Sequence, residues 1–275
     1  MTVSRLITKM RAVSVADMIL AGNINHALQA NQFLRRIGSN GIEILVEDGV
    51  VTLSGHVGAT VDKTYVDSAV RALPDVTQFE NQLVADDKLT IVVAQAVDND
   101  ARMHGESMGV KAQHGFIYLT GRVGSAATRY LAAQLAADVS QVRGVVNRIE
   151  APDVVVDDGE EQIFQPVIGQ EVYTDSDELG HVLYVVINPH SRRVSAVVVS
   201  AANATSRHDE HTQQKHPIII PISNLRCAPS GALFLNLRNG KTVTFVDFNT
   251  RRFVAPSADW QPPYPYRLGD ILFYR

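Results

Sequence analysis

The sequence predicts a multi-domain α+β protein, with two small αββαβ domains in tandem followed by a small all-β domain. Three observations predict this fold class. Residues 42–85 align with residues 108–151 at a constant offset of 66, without a gap. Within each copy, apolar residues change between helical and strand periodicity in the same order. After residue 163 the pattern changes to short strands separated by turns.

The repeat keeps glycines and apolar residues rather than residues that carry chemistry. At this offset no Asp, Glu, His, Ser or Lys repeats with any regularity, and the positions that do repeat are typical of turns and cores. The eight identical pairs are Gly49/Gly115, Leu53/Leu119, Gly55/Gly121, Val57/Val123, Gly58/Gly124, Val76/Val142, Asn81/Asn147 and Ala85/Ala151. The repeat therefore indicates a duplicated binding module rather than a duplicated active site.

Each copy is predicted to contain a helix, a hairpin, a second helix and a last strand. Asp48 and Gly49 predict the tight turn of the first hairpin, since glycine readily takes positive φ. Pro74 ends the second helix of the first copy. The elements predicted in the first copy are a helix over 24–37, strands over 42–46 and 51–57, a helix over 60–73 and a strand over 78–85. Those of the second copy are a helix over 90–103, strands over 110–112 and 116–123, a helix over 126–139 and a strand over 145–151.

Two matching strings mark the hairpins of the copies, EDGVVTLSGHV over 47–57 and QHGFIYLTGRV over 113–123. A downstream string, VRGVVNRI over 142–149, has its weaker counterpart VTQFENQL over 76–83, where the glycine is missing. This pattern resembles the BON domain, a family of small α/β modules found mostly in bacteria. The resemblance implies a non-enzymatic protein that contacts phospholipid or envelope surfaces, with a role in stress response.

The third segment resembles a different family. Its strings GQEV, LGHV, VVIN and VSAVVV begin at residues 169, 179, 185 and 194, and PIIIPISNL follows at 217–225. They look like the start and a later strand of a PRC-barrel domain, a family of protein- and RNA-binding adaptors, so the resemblance implies a protein partner. The predicted boundaries are 1–19 for an N-terminal segment, 20–87 and 88–152 for the two BON-like domains, 153–162 for an acidic linker, 163–256 for the PRC-barrel-like domain and 257–275 for an aromatic, proline-rich tail.

Composition excludes several functional classes. The net charge of −4 is too small to indicate a nucleic-acid binder, and we expect no DNA partner. The charge is uneven, because residues 20–88 carry −4 whereas residues 89–152 carry +1. Cys227 is the only cysteine, so no disulfide or cysteine-based zinc site is expected, and it is predicted to be a core residue. No clear signal peptide is recognised, which favours a cytoplasmic, membrane-associated protein over a periplasmic one.

The candidate chemical sites are weak, and we expect neither catalytic residues nor a cofactor. His208, His211 and His216 are the candidate metal ligands, but the polar stretch between two strands in which they lie is better explained as a solvated loop. Each Gly-x-x-Gly step before a helix could receive a phosphate at the helix N-terminus, but a tight strand-to-helix turn also explains it. The predicted turn glycines are Gly49, Gly55, Gly58, Gly115, Gly121 and Gly124.

Two sets of residues are candidates for binding a partner. Arg5, Lys9 and Arg11 alternate with apolar residues and could lie on an anionic phospholipid surface. The aromatic residues of the last segment could anchor a protein partner. They are Trp260, Tyr264, Tyr266, Phe273 and Tyr274. The leading hypothesis is a lipid-contacting scaffold. The alternatives are a protein or ribonucleoprotein adaptor without a lipid role, and more remotely a metal protein; self-association into a homo-oligomer is expected for either binding role.

Overall fold

The structure is a computed structural model, and it describes residues 14–30, 42–152, 154, 162–174, 177–201, 216–228, 232–236, 245–263 and 265–275. The side chains of residues 162 and 216 are outside this description. The chain divides into two compact units, with the boundary between Ile163 and Phe164. The first unit contains both copies of the repeat and the second is rich in strands. The predicted multi-domain α+β class is confirmed.

The first copy has the predicted order of elements. Its strands β1 and β2 form an antiparallel hairpin, and β3 lies parallel to β2 on the other side. A short strand, β4, continues along β2 beyond β3. The elements are α1 (Val15–Ala30), β1 (Ile42–Glu47), β2 (Val50–Val57), α2 (Thr60–Arg71), β3 (Gln78–Asn81) and β4 (Val84–Ala85).

The first helix begins nine residues before its predicted start at Ile24. Ser14 precedes it and acts as an N-cap, because its hydroxyl accepts a hydrogen bond from the Asp17 amide at 3.0 Å. The apolar residues that follow lie on both sides of the helix, which obscures the periodicity on which the prediction rested. Residues 31–37, the predicted end of this helix, lie outside the described residues.

The second copy repeats the arrangement. Its sheet has the order β5, β6, β7, with β8 added at the edge of β7; β5 and β6 are antiparallel and β7 is parallel to β6. The predicted helix over 90–103 instead begins at Asp86, whose carboxylate favours the first turn of a helix, and is followed by a short 3₁₀ turn, Ala101–Met103. The elements are α3 (Asp86–Asp98), β5 (Ser107–Gln113), β6 (Phe116–Arg122), α4 (Ala126–Asp138), β7 (Gly144–Glu150) and β8 (Gln162–Phe164).

The core of each copy lies between its two helices and one face of its sheet. In the first copy Val51 and Leu53 of β2 are fully buried against α1 and α2. The buried side chains of α1 and α3 correspond at an offset of 69 rather than 66: Leu20 with Leu89, Ile24 with Val93 and Leu28 with Val97. The repeat therefore includes the first helix of each copy. The connection between this helix and the first strand is three residues longer in the first copy than in the second.

A pair of polar residues fastens the second helix of each copy to the last strand. In the second copy the Asn147 amide nitrogen donates to the Arg129 carbonyl at 3.0 Å, and the Arg129 guanidinium donates to the carbonyls of Asn147 and Ile149 at 2.9 Å. In the first copy Asn81 and Lys63 make the corresponding contacts, with the Asn81 amide nitrogen 3.4 Å from the Lys63 carbonyl. This explains the repeated asparagine as a structural residue.

The second unit contains one large sheet of nine described strands. Its order is β13, β14, β9, β10, β11, β12, β15, and the valine-rich strands β10 and β11 form its centre. Cys227 is buried in it, as predicted. The strands are β9 (Glu171–Tyr173), β10 (Glu178–Ile187), β11 (Val194–Ala201), β12 (His216–Pro221), β13 (Leu225–Cys227), β14 (Leu233–Leu235), β15 (Val246–Asp247), β16 (Phe253–Val254) and β17 (Ile271–Tyr274).

The segment 257–275, predicted as a tail, is part of this sheet. Its last strand, β17, pairs in parallel with Val185 and Val186 of β10 and antiparallel with β16. Ile271 and Leu272 are buried by this pairing. The prolines and aromatics that suggested a separate tail instead form the connection into a central strand position.

Candidate functional site

Several predicted site residues lie outside the described residues: Arg5, Lys9, Arg11, His208, His211 and Tyr264. His216 begins β12, but its side chain is not described. Within the described part of the chain, no group of three His, Cys, Asp or Glu side chains is placed to hold a metal ion. Nor is any described helix both long and apolar enough to cross a membrane.

The predicted aromatic anchors are largely engaged with their own unit. Tyr266 is buried, and its hydroxyl donates to the Pro166 carbonyl at 2.6 Å. Trp260 lies edge-on against Phe273, and the guanidinium of Arg192 stacks on its ring. An anchoring role for Tyr266 does not fit this placement, whereas Tyr274 remains more than half exposed.

The predicted turn glycines divide into two groups. Gly49, Gly55, Gly115 and Gly121 have positive φ, as turn residues do, whereas Gly58 and Gly124 do not. The amides at the start of α2 already have acceptors within the chain: the Ala59 amide donates to Asp62 and the Thr60 amide to Asp87, both at 2.9 Å. A phosphate at this helix N-terminus would have to displace these carboxylates.

The two copies meet at a buried histidine. His56 of β2 is 2% exposed, and its Nε2 donates to the Gln141 carbonyl of the second copy at 3.0 Å. The pKa of His56 is lowered to about 4, chiefly by burial, with the hydrogen bond to Gln141 opposing the shift and the charges of Arg143 and His114 adding to it. The histidine is therefore neutral at ordinary pH and acts as a structural contact between the copies.

A buried carboxylate holds each hairpin turn. Asp86 accepts hydrogen bonds from the amides of His114 and Gly115, and Asp17 accepts one from the amide of Gly49 at 3.0 Å. These aspartates correspond at the offset of 69, so an alignment at 66 could not pair them. Burial raises the pKa of Asp86, with the two amide donors opposing the rise. The polar role is thus conserved between copies although the sequence comparison found no repeated acid.

One face of the sheet in the first copy has no described helix against it. Register and alternation place three glutamates and no basic residue on this face, because residues opposite one another in a ladder point to the same side. We call it the acidic face; its residues are Glu43, Leu45, Glu47, Val50, Thr52, Ser54, Gln78 and Glu80.

The equivalent face of the second copy carries the opposite charge. It holds three basic residues and one glutamate, with Arg122 paired to Glu150 at 2.7 Å and Arg148 stacked on the Tyr118 ring. We call it the basic face; its residues are Ser107, Lys111, Gln113, Phe116, Tyr118, Thr120, Arg122, Val146, Arg148 and Glu150. Reading every second residue of each strand would have found this contrast in the sequence.

The outward side of the first turns of α1 is apolar, whereas the exposed residues further along the helix are mainly polar, Asn23, Asn25, His26 and Gln29. Val15, Met18 and Ile19 are 73%, 62% and 59% exposed. Asp17 is the only Asp, Glu, Lys or Arg of α1, and it points inward to Gly49. This surface was not predicted from the sequence, because Val15, Met18 and Ile19 fall within residues 1–19, the segment assigned before the first domain.

A shallow cavity of about 310 Å³ lies beside α3 in the second copy. Its lining contains two acidic residues but no histidine, serine, cysteine or lysine, and Glu106 already accepts the Gly124 amide. It therefore offers no nucleophile and base pair. The lining residues are Ala94, Gln95, Val97, Asp98, Met103, Glu106, Met108 and Val110.

Comparison with known proteins identifies the repeated module. Residues 16–87 and residues 85–153 each match the family model of the BON domain. Among solved structures, the chain is similar to the C-terminal domain of CdsD, a structural protein of the type III secretion system of Chlamydia trachomatis, with 17% identity and a TM-score of 0.41 over 48% of this chain and 65% of that one. A second CdsD structure gives 15% identity and a TM-score of 0.41 over 50% and 65% of the two chains. None of the curated proteins matches the chain.

Proposed function

The chain belongs to the BON-domain family, with two BON domains in tandem, and we propose that it is a non-enzymatic scaffold whose first BON domain contacts an anionic phospholipid surface. Family membership supports a role at a membrane or envelope surface. The observation that carries the proposal is the outward side of the first turns of α1, where Val15, Met18 and Ile19 are exposed and the one charged residue, Asp17, is buried.

Such a surface suits the boundary between lipid headgroups and acyl chains. In the first turns of α1 one apolar side lies in the protein core, and the exposed apolar side stabilises a contact that removes it from water. The basic residues Arg5, Lys9 and Arg11 precede α1 in the sequence. Each basic residue near an anionic surface contributes roughly 1 kcal/mol of attraction. Together these features favour an interfacial contact rather than a spanning one.

The β-rich second unit is proposed to contact a protein partner. Its strings resemble those of PRC-barrel domains, which serve as adaptors, and its sheet of nine described strands is compatible with a partly closed barrel. In this arrangement the BON domains bring the chain to a surface and the second unit presents it to another protein.

Co-sedimentation with vesicles tests the lipid contact. We expect the full-length protein to pellet with phosphatidylcholine vesicles that contain about 30% phosphatidylglycerol, and less with phosphatidylcholine alone. Met18→Glu/Ile19→Glu should abolish pelleting. Ile91→Glu/Val92→Glu is the matched control, because it makes the same change at exposed apolar positions of α3. Equal pelleting of both variants, or no binding of the wild type to either vesicle, would overturn the proposal.

A second candidate function is a protein adaptor without a lipid role. It is favoured by Tyr274, an aromatic side chain on β17 that is more than half exposed although its ring also contacts Phe253. Tyr274→Ala should then remove a specific partner from pull-downs while Tyr274→Phe retains it. Unchanged recovery with the alanine variant would count against this candidate.

A further inference from the structure

The acidic face and the basic face lie on equivalent sides of two related sheets and carry opposite charge. They occupy equivalent positions of two domains with one fold, so strand spacing and pleat match. At the offset of 66, Leu45 is replaced by Lys111, Glu80 by Val146 and Gln82 by Arg148. The duplication has thus retained the sheet and exchanged the charges on its outer surface.

The charged residues of both faces are accessible to solvent. The side chains of Glu43, Glu47 and Glu80 are exposed, as are those of Lys111 and Arg148. The faces therefore do not cover each other within one molecule. A basic surface of matching size exists in every other copy of the same chain.

We propose that the acidic face of one chain binds the basic face of a second copy of this chain, head to tail. The partly exposed apolar residues also lie among the charges, Leu45 and Val50 on one face and Tyr118 on the other, whereas Phe116 and Val146 of the basic face are buried. Each chain keeps one unused face of each sign, so association continues to a closed ring or an open filament. The interface is independent of the apolar side of α1.

The contact is small and electrostatic, which determines how it behaves. Each face is mainly three strands wide, at a strand spacing of about 4.8 Å, and is smaller than the surface of a standard stable interface. The association is therefore weak and depends on protein concentration. Exposed charges are screened over about 10 Å at 0.1 M salt and about 3 Å at 1 M, so high salt dissociates it.

Sedimentation velocity of the full chain, from micromolar to submillimolar concentration, tests the proposal. The acidic-face variant is Glu43→Lys/Glu47→Lys/Glu80→Lys, and the basic-face variant is Lys111→Glu/Arg148→Glu. We expect each to associate at least about tenfold more weakly than wild type at about 50 mM salt. A control, Asp75→Lys/Asp98→Lys, reverses two exposed acids away from both faces and should associate normally. Melting curves establish that each variant is folded.

Mixing the two face variants distinguishes this interface from any other. The acidic-face variant has two basic faces and the basic-face variant has two acidic faces, so neither should associate alone. In the mixture a basic face of one variant can meet an acidic face of the other, so association should return. Failure to recover in the mixture, normal association of either variant alone, or a wild type that stays monomeric at all concentrations overturns the proposal. If the basic-face variant loses vesicle binding but still associates, that face contacts lipid and the proposed self-association is wrong. If only the Met18→Glu/Ile19→Glu variant loses vesicle binding, the proposed self-association stands.

Discussion

The ring of His56 packs against Gly115 so closely that a β-carbon at position 115 would lie 2.5 Å from the histidine Nε2. His56 belongs to the first BON domain and Gly115 to the hairpin turn of the second. Gly49 occupies the same turn of the first domain, with nothing within 4 Å of an added β-carbon. The repeated glycine therefore serves the turn in both domains, but only in the second does it also make room for the neighbouring domain.

Alanine substitutions at these two glycines should separate the two roles. Both have nearly the same positive φ, +79° for Gly49 and +78° for Gly115, so both substitutions carry a similar backbone strain of about 1 kcal/mol. Gly115→Ala must also displace the His56 ring, which should raise its loss of unfolding free energy to about 3 kcal/mol. Urea denaturation measures both values.

A double variant provides the check on the contact itself. His56→Ala/Gly115→Ala should lose less stability than the sum of the single losses, because the first change makes room for the second. Equal losses for Gly49→Ala and Gly115→Ala would show that the His56 ring moves aside freely and that the contact between the domains is loose.

Folding stability should decline on acidification because of His56. Its pKa falls from 6.5 to about 4 on folding, so between these values the unfolded chain binds a proton that the folded chain does not. The contribution of neutral His56 to the unfolding free energy is fully present above pH 6.5 and is lost as the pH falls toward 4. The loss is up to about 3 kcal/mol, at about 1.4 kcal/mol for each unit of pKa shift. Thermal melts across this range measure the slope.

The control for this pH dependence is His56→Gln, which retains a donor but does not titrate. The pKa of Asp86 is raised by burial and shifts stability in the opposite direction, with loss as the pH rises above 3.8. Arg143 and His114 also face this junction. Since these groups remain in both proteins, the difference between wild type and variant isolates His56; parallel pH profiles would contradict its role.

The sequence was sufficient for the order of elements because strand alternation and turn glycines are local signals. It was insufficient where the helices and the strands of the two copies align at different offsets. Asp17 and Asp86 hold equivalent turns, yet they correspond at 69 while the strands correspond at 66. The difference lies in the longer connection before β1, and a comparison without gaps cannot cross it.

Contacts between distant segments were also beyond the sequence pattern. The parallel pairing of β17 with β10 joins strands far apart in the chain, and the aromatic, proline-rich segment between them has no regular period. The contrast between the acidic and basic faces was present in the sequence. Alternation within each strand carries it, and the ladder register shows which residues of neighbouring strands share a face.

The repeated asparagines should differ in importance. Asn147 is buried with hydrogen bonds of 3.0 and 3.2 Å, whereas Asn81 is half-buried and makes bonds of 3.4 and 3.2 Å. Asn147→Ala leaves the Ile149 amide and the Arg129 carbonyl without this partner inside the protein, which should cost about 2 to 3 kcal/mol. Asn81→Ala should cost about 1 kcal/mol, because water can reach the site. Urea denaturation that gave the reverse order would contradict this explanation.

The C-terminal segment should stabilise the β-rich unit through Tyr266. Tyr266→Phe removes the buried hydroxyl that donates to the Pro166 carbonyl at 2.6 Å, and should lower the unfolding free energy of this unit by about 1 kcal/mol. Tyr274→Phe removes the hydroxyl of an exposed tyrosine on β17 and should change it little. Differential scanning calorimetry of the full chain measures both. A segment that merely extends from the unit would give no difference between the two variants, whereas one built into the sheet makes the Tyr266 variant melt earlier.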